Sequence, residues 1–189
     1  PQTGYSSGGG SPPLSPDAID KIERFPFASD TNAIDIGNLT VSRQQLGGHS
    51  STTRGYTTGG QNVPTATDII ENFPFASDTD AGDVGDLGDT NADHGSQSSE
   101  THGYTSGGRK AGVTDYSKIE KFSFSSDGDA TEVGDITQTR TSLGGGVSSV
   151  DAGYNAGGIT SPDSARVGTR DKFLFANETV AVDLGDSIR

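Results

Sequence analysis

Short stretches of alternating polar and apolar residues recur along the chain, and each contains two Phe residues separated by one position. Residues two apart lie on the same face of an extended chain, so each pair predicts a strand with one buried aromatic face. These pairs contain every Phe of the sequence: Phe25 and Phe27, Phe73 and Phe75, Phe122 and Phe124, and Phe173 and Phe175. The pattern therefore predicts four equivalent strands in four equivalent units.

Two further markers recur with the same spacing of roughly fifty residues. A Gly-Tyr dipeptide precedes each Phe pair, and its tyrosines are Tyr5, Tyr56, Tyr104 and Tyr154. A Gly pair follows each tyrosine, and in the last three units it is Gly59 and Gly60, Gly107 and Gly108, and Gly157 and Gly158. An acidic element ending in Gly closes each unit. The markers predict one repeat domain over 1–189, with repeats at about 4–54, 55–102, 103–152 and 153–189.

Turn-forming residues between the markers predict how the strands are connected. The clusters at 29–32 and 126–129 separate the Phe strand from the acidic element and predict a hairpin. A second hairpin is predicted with its turn at 53–55. Four strands per unit result, about fifteen in all, because the chain starts at the second strand of a unit. Pro26 and Pro74 lack a backbone donor, which predicts an outer strand or a position whose N–H would face away from the ladder. Very little helix is expected.

Composition favours thin core layers over one large core. Only 29% of the residues are hydrophobic and 28 are Gly, so stacked repeats suit the chain better than a single globular core. The formal net charge of −13 argues against binding to nucleic acid or to anionic membranes. No apolar run is long enough for membrane insertion. The chain has no Cys, which leaves the redox compartment open, and the absence of an initial Met suggests a fragment or a processed chain.

Neither the acidic loops nor the histidines predict a catalytic or cofactor site. Four carboxylates lie close together in the second unit and could suit Ca²⁺, but turn formation and solubility explain them better: Asp78, Asp80, Asp83 and Asp86. The histidines are predicted in Ser- and Gly-rich loops without metal-ligand spacing: His49, His94 and His102. No nucleophile elbow is present. We therefore expect no catalytic residues, no cofactor and no metal, and we predict that the chain is not an enzyme.

The spacing and the Gly and aromatic markers resemble the kelch repeats of β-propellers. The resemblance rests on Tyr56 with Gly59 and Gly60 and their equivalents, and on Arg43 and Arg140 ahead of the next tyrosine. Kelch blades usually carry a Trp, and this chain has none. The resemblance implies an all-β fold of propeller blades, forming either a four-bladed ring or an arc of a larger or oligomeric ring. It also implies that the Gly pair permits close backbone approach and that the tyrosine packs between blades.

The unit FPFASDTxAxDxG with GYTTGG is also similar to repeats of predicted structural proteins of marine tailed phages, over nearly the whole chain. This resemblance implies a virion or extracellular structural or host-interaction module, such as a tail or fibre component. The expected partners are other virion proteins or copies of the chain, with cell-surface carbohydrate as a further candidate. Two alternatives stay open: a carbohydrate-active propeller enzyme and a kelch-type adaptor for protein interactions.

Overall fold

A computed structural model describes residues 3–10, 17–110, 116–143, 145–160, 164–177 and 180–187. All regular structure in these ranges consists of β-strands in antiparallel sheets, and they contain no helix. The all-β prediction is therefore confirmed. None of the described residues forms a helix that could cross a membrane.

Four main sheets follow one another along the chain. The first contains β1 (Thr3–Ser7), β2 (Lys21–Pro26) and β3 (Ile34–Asn38). The second contains β4 (Gly47–Ser50), β5 (Arg54–Thr58), β8 (Ile69–Pro74) and β9 (Gly82–Asp86), with a short hairpin of β6 (Gln61–Asn62) and β7 (Thr65–Ala66) between β5 and β8. In both sheets the Phe-bearing strand, β2 or β8, lies between two neighbours.

The third and fourth sheets repeat this order. In the third, β10 (Asn91–Ala92) and β11 (Gly95–Ser98) both pair with β12 (His102–Lys110), which is followed by β13 (Tyr116–Ser123) and β14 (Thr131–Asp135). The fourth contains β15 (Gly146–Ser148), β16 (Ala152–Ala156), β19 (Thr169–Leu174) and β20 (Val182–Asp186), with a hairpin of β17 (Ile159–Thr160) and β18 (Ala165–Arg166). The first sheet has no strand equivalent to β4, β11 and β15, which agrees with a chain that starts at a second strand.

The two prolines lie at strand ends rather than on outer strands. Pro26 is the last residue of β2 and pairs with Thr3, beyond the last residue of β2 that pairs with β3. Pro74 has the same position at the end of β8. A central strand tolerates a missing donor there because its second neighbour has already ended.

The turn predicted at 53–55 lies two residues earlier. Ser51 and Arg54 close it, with Ser51 N donating to Arg54 O at 2.9 Å. The Ser51 hydroxyl oxygen also accepts the backbone N–H groups of Thr53 and Arg54 at 3.2 and 3.0 Å. A Ser side chain that bonds its own backbone in this way nucleates a tight turn. Arg54 is therefore already the first residue of β5.

The buried apolar side chains form three thin clusters, each at a contact between consecutive sheets. In the cluster between the first two sheets, Ile22 and Ile36 pack against Phe73 and Ala81. The other two clusters contain Ile70 with Phe122, and Ile119 with Phe173. The core is therefore divided among the contacts between sheets, as expected for stacked repeats.

Candidate functional site

The contact between consecutive sheets recurs three times, and we number these contacts the first, second and third junctions in chain order. At each one, the repeat tyrosine of the earlier sheet stacks on the second Phe of the later sheet. The ring centroids are 4.6 Å apart for Tyr5 and Phe75, 4.7 Å for Tyr56 and Phe124, and 4.7 Å for Tyr104 and Phe175. The first Phe of the later sheet also contacts the same tyrosine, at 5.6 to 5.7 Å. The junctions thus bring together tyrosines and Phe pairs that the sequence places in different units.

The glycine before each repeat tyrosine makes room for the aromatic layer. Gly55 lies opposite Phe73 in the pairing of β5 with β8. A Cβ at Gly55 would come within 2.4 Å of the Phe73 ring. The same clash would occur at three further glycines: Gly4, Gly103 and Gly153. Each first Phe therefore lies across the backbone of the neighbouring strand.

The Gly pair after the tyrosine allows a second close approach. Gly59 and Gly60 have φ values of +55° and +93°, in the region that favours glycine. Gly60 N donates to Asn91 O at 2.8 Å, and a Cβ at Gly59 would lie 2.2 Å from that oxygen. The chain that leaves the outer strand therefore crosses directly over the end of the tyrosine strand. Positive φ values recur at Gly107, Gly108, Gly157 and Gly158.

A buried ion pair crosses the first junction. Arg43 precedes β4, and its Nη2 lies 3.0 Å from Glu71 Oε2 on β8, with both side chains fully buried. Arg43 also donates to Thr57 Oγ1 at 2.9 Å and to Ile69 O at 3.2 Å. Burial lowers the pKa of Arg43, and Glu71 opposes that shift. The arginine therefore ties the connection after the first sheet to two strands of the second sheet.

The third junction has an equivalent pair, in which Arg140 binds Asp171 and both side chains are fully buried. The second junction differs, because Asn91 occupies the arginine position. Its acidic residue, Glu120, is 2% exposed and accepts a hydrogen bond from Gly88 N at 2.7 Å through Oε1. Burial raises the pKa of Glu120. The second junction therefore contains a buried carboxyl group without an arginine.

The acidic member of each pair was missed in the sequence, although a local signal was present. An acidic residue stands two positions before the first Phe of every unit: Glu23, Glu71, Glu120 and Asp171. In a strand with this periodicity, such a residue lies on the same face as the Phe. An ionisable group on the aromatic face needs a partner when buried. The regular spacing could therefore have predicted a buried charge at each junction.

Two of the histidines are buried in or beside strands, so their predicted placement in loops is wrong. His49 lies in β4, with Nε2 at 2.9 Å from Thr58 Oγ1 and Nδ1 at 3.0 Å from Gln97 O of the third sheet. His94 Nε2 lies 3.2 Å from Thr58 O. Burial lowers the pKa of His49 to about 3 and also lowers that of His94. His102 begins β12. Both buried rings are therefore neutral structural groups at neutral pH.

The acidic turn residues contact neighbouring groups separately. Asp78 pairs with Arg24 at 2.9 Å, and Asp80 accepts from Asn38 N at 2.8 Å, both across the first junction. Asp83 accepts from Gly85 N at 3.1 Å within its own turn. Among the described residues, no group of three or more His, Cys, Asp or Glu side chains could hold a metal ion. These contacts agree with the turn interpretation of the carboxylates.

Polar side chains also join the first strands of successive sheets. Ser50 N donates to Ser98 Oγ at 3.3 Å, and Ser98 N donates to Ser148 Oγ at 2.9 Å. Gln97 Nε2 donates to Asn155 Oδ1 at 2.7 Å and to Tyr154 O at 3.1 Å. Each junction thus combines aromatic, glycine and polar contacts in the same order. No family model matches the chain, and no curated protein matches its sequence.

Proposed function

We propose that the chain is a non-enzymatic structural or host-interaction module, in which the four sheets act as kelch-like propeller blades and form a rigid scaffold. The observation that carries this proposal is the recurrence of one set of contacts at three junctions. Buried arginines and carboxylates, which could serve catalysis elsewhere, here bind one another between sheets. An active site normally breaks the symmetry of a repeat architecture, whereas these groups follow it. Placement in a phage tail or fibre rests on the resemblance of the repeat unit.

The first sheet offers the surface best suited to a partner. Phe25 and Phe27 occupy the positions that the other Phe pairs fill, but no earlier tyrosine among the described residues covers them. Phe27 is 65% exposed. An exposed aromatic surface of this kind favours an interaction site. We propose that this end of the scaffold binds a surface of another copy or of a second virion protein.

A groove beside the first sheet extends the same surface. Its volume is about 450 Å³, and its lining includes Tyr5 and Ser7 of β1, Phe27, and Ser50 of β4. It borders β1, which pairs on one side only, with β2. An edge strand with free backbone groups can accept an added strand from a partner. The groove and the Phe pair together support binding at this end.

The fourth sheet has a more polar outer face. Arg170 stands where the other sheets have Ile22, Ile70 and Ile119. Its guanidinium donates to the carbonyl oxygens of Gly185 and Leu184, both at 3.1 Å. Terminal repeats with polar outer faces act as caps in repeat proteins. We therefore propose that association occurs mainly through the first sheet.

Sedimentation of the chain over a range of protein concentrations tests this proposal. We expect association that Phe27→Asp weakens at least about tenfold, because a charge in an apolar interface must be desolvated. Val150→Asp is the matched control, since Val150 is 90% exposed in a turn. It should leave association unchanged. A chain that stays monomeric, or that responds equally to both variants, would contradict binding to copies through the first sheet.

The enzymatic alternative needs a separate experiment. The protein is incubated with a panel of polysaccharides, and both retention of the polymer and release of shorter sugars are measured. We expect no release from any member of the panel. Release that a single Asp or Glu substitution abolishes would establish the carbohydrate-active alternative and overturn the proposal.

A further inference from the structure

The carboxyl groups of the first and second junctions are held in the same way. Glu71 Oε1 accepts a hydrogen bond from Thr40 N at 3.0 Å, and Glu120 Oε1 accepts one from Gly88 N at 2.7 Å. Thr40 and Gly88 have equivalent positions after β3 and β9. The second oxygen of each carboxyl group is therefore aimed at the equivalent place in its junction. In the first junction, that place holds the guanidinium of Arg43.

The second junction has the oxygen atoms of this site but no guanidinium. Arg43 donates to Thr57 Oγ1, and the equivalent threonine of the third sheet is Thr105. Glu120 Oε2 and Thr105 Oγ1 are buried and have no hydrogen-bond partner. The two residues are 2% and 1% exposed. Asn91 also has a buried Oδ1 without a partner. Three oxygen acceptors are thus left unsatisfied at one junction.

Asn91 is too short to replace the arginine that its position holds elsewhere. Its side chain ends at the distance that the arginine δ carbon reaches, so the four heavy atoms of the guanidinium have no counterpart. Its Nδ2 donates instead to Gly107 O at 2.9 Å. The position of Glu120 Oε2 therefore lacks both the charge and the donors that Glu71 receives from Arg43.

The chemistry of the unpaired groups favours a small cation. A buried carboxylate is costly unless a positive charge or donors compensate it. Hard cations prefer oxygen ligands, which are the only unpaired atoms here. Asp89 and Glu132 add negative potential around Glu120, and the Lys118 amine that opposes them lies 2.6 Å from Glu132. A single charge balances the one carboxylate at the centre of the group.

We infer that the second junction binds a monovalent cation, Na⁺ or K⁺, through Glu120 and Thr105, in the place where the first junction holds the Arg43 guanidinium. The carbonyl of Lys118 is equivalent to that of Ile69, which accepts from Arg43 at 3.2 Å, and offers a further oxygen. The cation joins the second and third sheets as the arginine joins the first and second.

Thermal unfolding in different chloride salts tests this site. The protein is melted in NaCl, KCl and tetramethylammonium chloride at the same ionic strength, because tetramethylammonium is too large for the position of a guanidinium. A cation that binds only the folded state raises the melting temperature in a saturable way. We expect Na⁺ or K⁺ to raise it by about 2–4 °C over tetramethylammonium. Equal melting temperatures in all three salts would overturn the inference.

Two variants and a matched control identify the site. Glu120→Gln removes the charge, and Asn91→Arg supplies a guanidinium in place of the cation, so each should abolish the difference between salts. Glu100→Gln removes an exposed carboxylate from a turn and should keep the full difference. An effect of the salts that survives in both Glu120→Gln and Asn91→Arg would place cation binding elsewhere and overturn the inference.

Crystals soaked in RbCl give a direct readout that does not depend on stability. Rb⁺ scatters anomalously and replaces K⁺ in oxygen sites. We expect an anomalous peak within coordination distance of Glu120 Oε2 and Thr105 Oγ1, and no peak at the equivalent place beside Glu71. Electron density for water without anomalous signal beside Glu120 would overturn the inference.

Discussion

The first and second junctions share an aromatic stack and a buried carboxyl group, but only the first has an arginine for that group. Tyr5 on Phe75 and Tyr56 on Phe124 have nearly the same separation. Glu71 and Glu120 both accept from a backbone N–H of the preceding sheet. The difference is confined to Arg43 and its counterpart. It shows that the aromatic and glycine residues set the spacing of the sheets, while the charge compensation can vary within that spacing.

Removal of the arginine should have the largest effect. Arg43→Met leaves Glu71 buried without its cation and should lower the free energy of unfolding by about 3–5 kcal/mol. Urea unfolding measures the loss. Arg24→Met is the matched control, since Arg24 binds Asp78 at the surface, and it should cost less than about 1 kcal/mol. Similar losses for the two variants would show that the buried pair has no special role at the first junction.

Acid should weaken the second junction because His49 crosses it as a neutral ring. The pKa of His49 is about 3 in the folded chain and about 6.5 when unfolded. The folded state thus binds fewer protons, so stability is complete above pH 6.5 and is lost as the pH falls towards 3. His94, whose pKa is also lowered by burial, contributes in the same direction. Each histidine should contribute up to about 1.4 kcal/mol per pH unit.

Urea unfolding at several pH values between 7.5 and 4.5 measures this dependence. His49→Gln should show a shallower loss of stability than the unmodified chain, because Gln does not titrate. His102→Gln is the matched control and should follow the unmodified chain. A His49→Gln variant with an unchanged pH dependence would contradict the assignment of the acid sensitivity to the second junction.

Addition of an arginine should make the second junction like the first. Asn91→Arg places a guanidinium beside Glu120 and should raise the free energy of unfolding by about 1–3 kcal/mol, the range of a hydrogen bond to a charged group. The measurement is made in tetramethylammonium chloride, where the unmodified chain has no small cation. Destabilisation would show that the second junction has no room for the longer side chain.

The smallest change is expected from neutralising the second carboxyl group. Glu120→Gln keeps the acceptor for Gly88 N and removes an unpaired buried charge, so stability should change by less than about 1 kcal/mol. Glu71→Gln removes the partner of Arg43 and should cost about 3–5 kcal/mol. Urea unfolding of the two variants compares the junctions directly. Equal costs would contradict the difference between them.

The repeat and its strands could be predicted from local patterns. Phe73 and Phe75 lie two positions apart, and both contact Tyr5, as a strand periodicity of two requires. The turn at Ser51 was misplaced because several Ser, Thr and Gly residues in that segment can each form a turn. The burial of His49 was missed because its polar neighbours are typical of a loop, whereas the first strands here have polar side chains that bond between sheets.

The sequence by itself determined the period of the chain, its β-structure and the residues that face the aromatic layers. It did not determine the state of the buried acids, since Ile70-Glu71 and Ile119-Glu120 have the same local pattern before Phe. Only the tertiary structure decided that Glu71 meets Arg43 and that Glu120 faces Asn91. The reason is that each acid is compensated by a residue of the preceding sheet, and long-range contact of this kind depends on how the sheets pack.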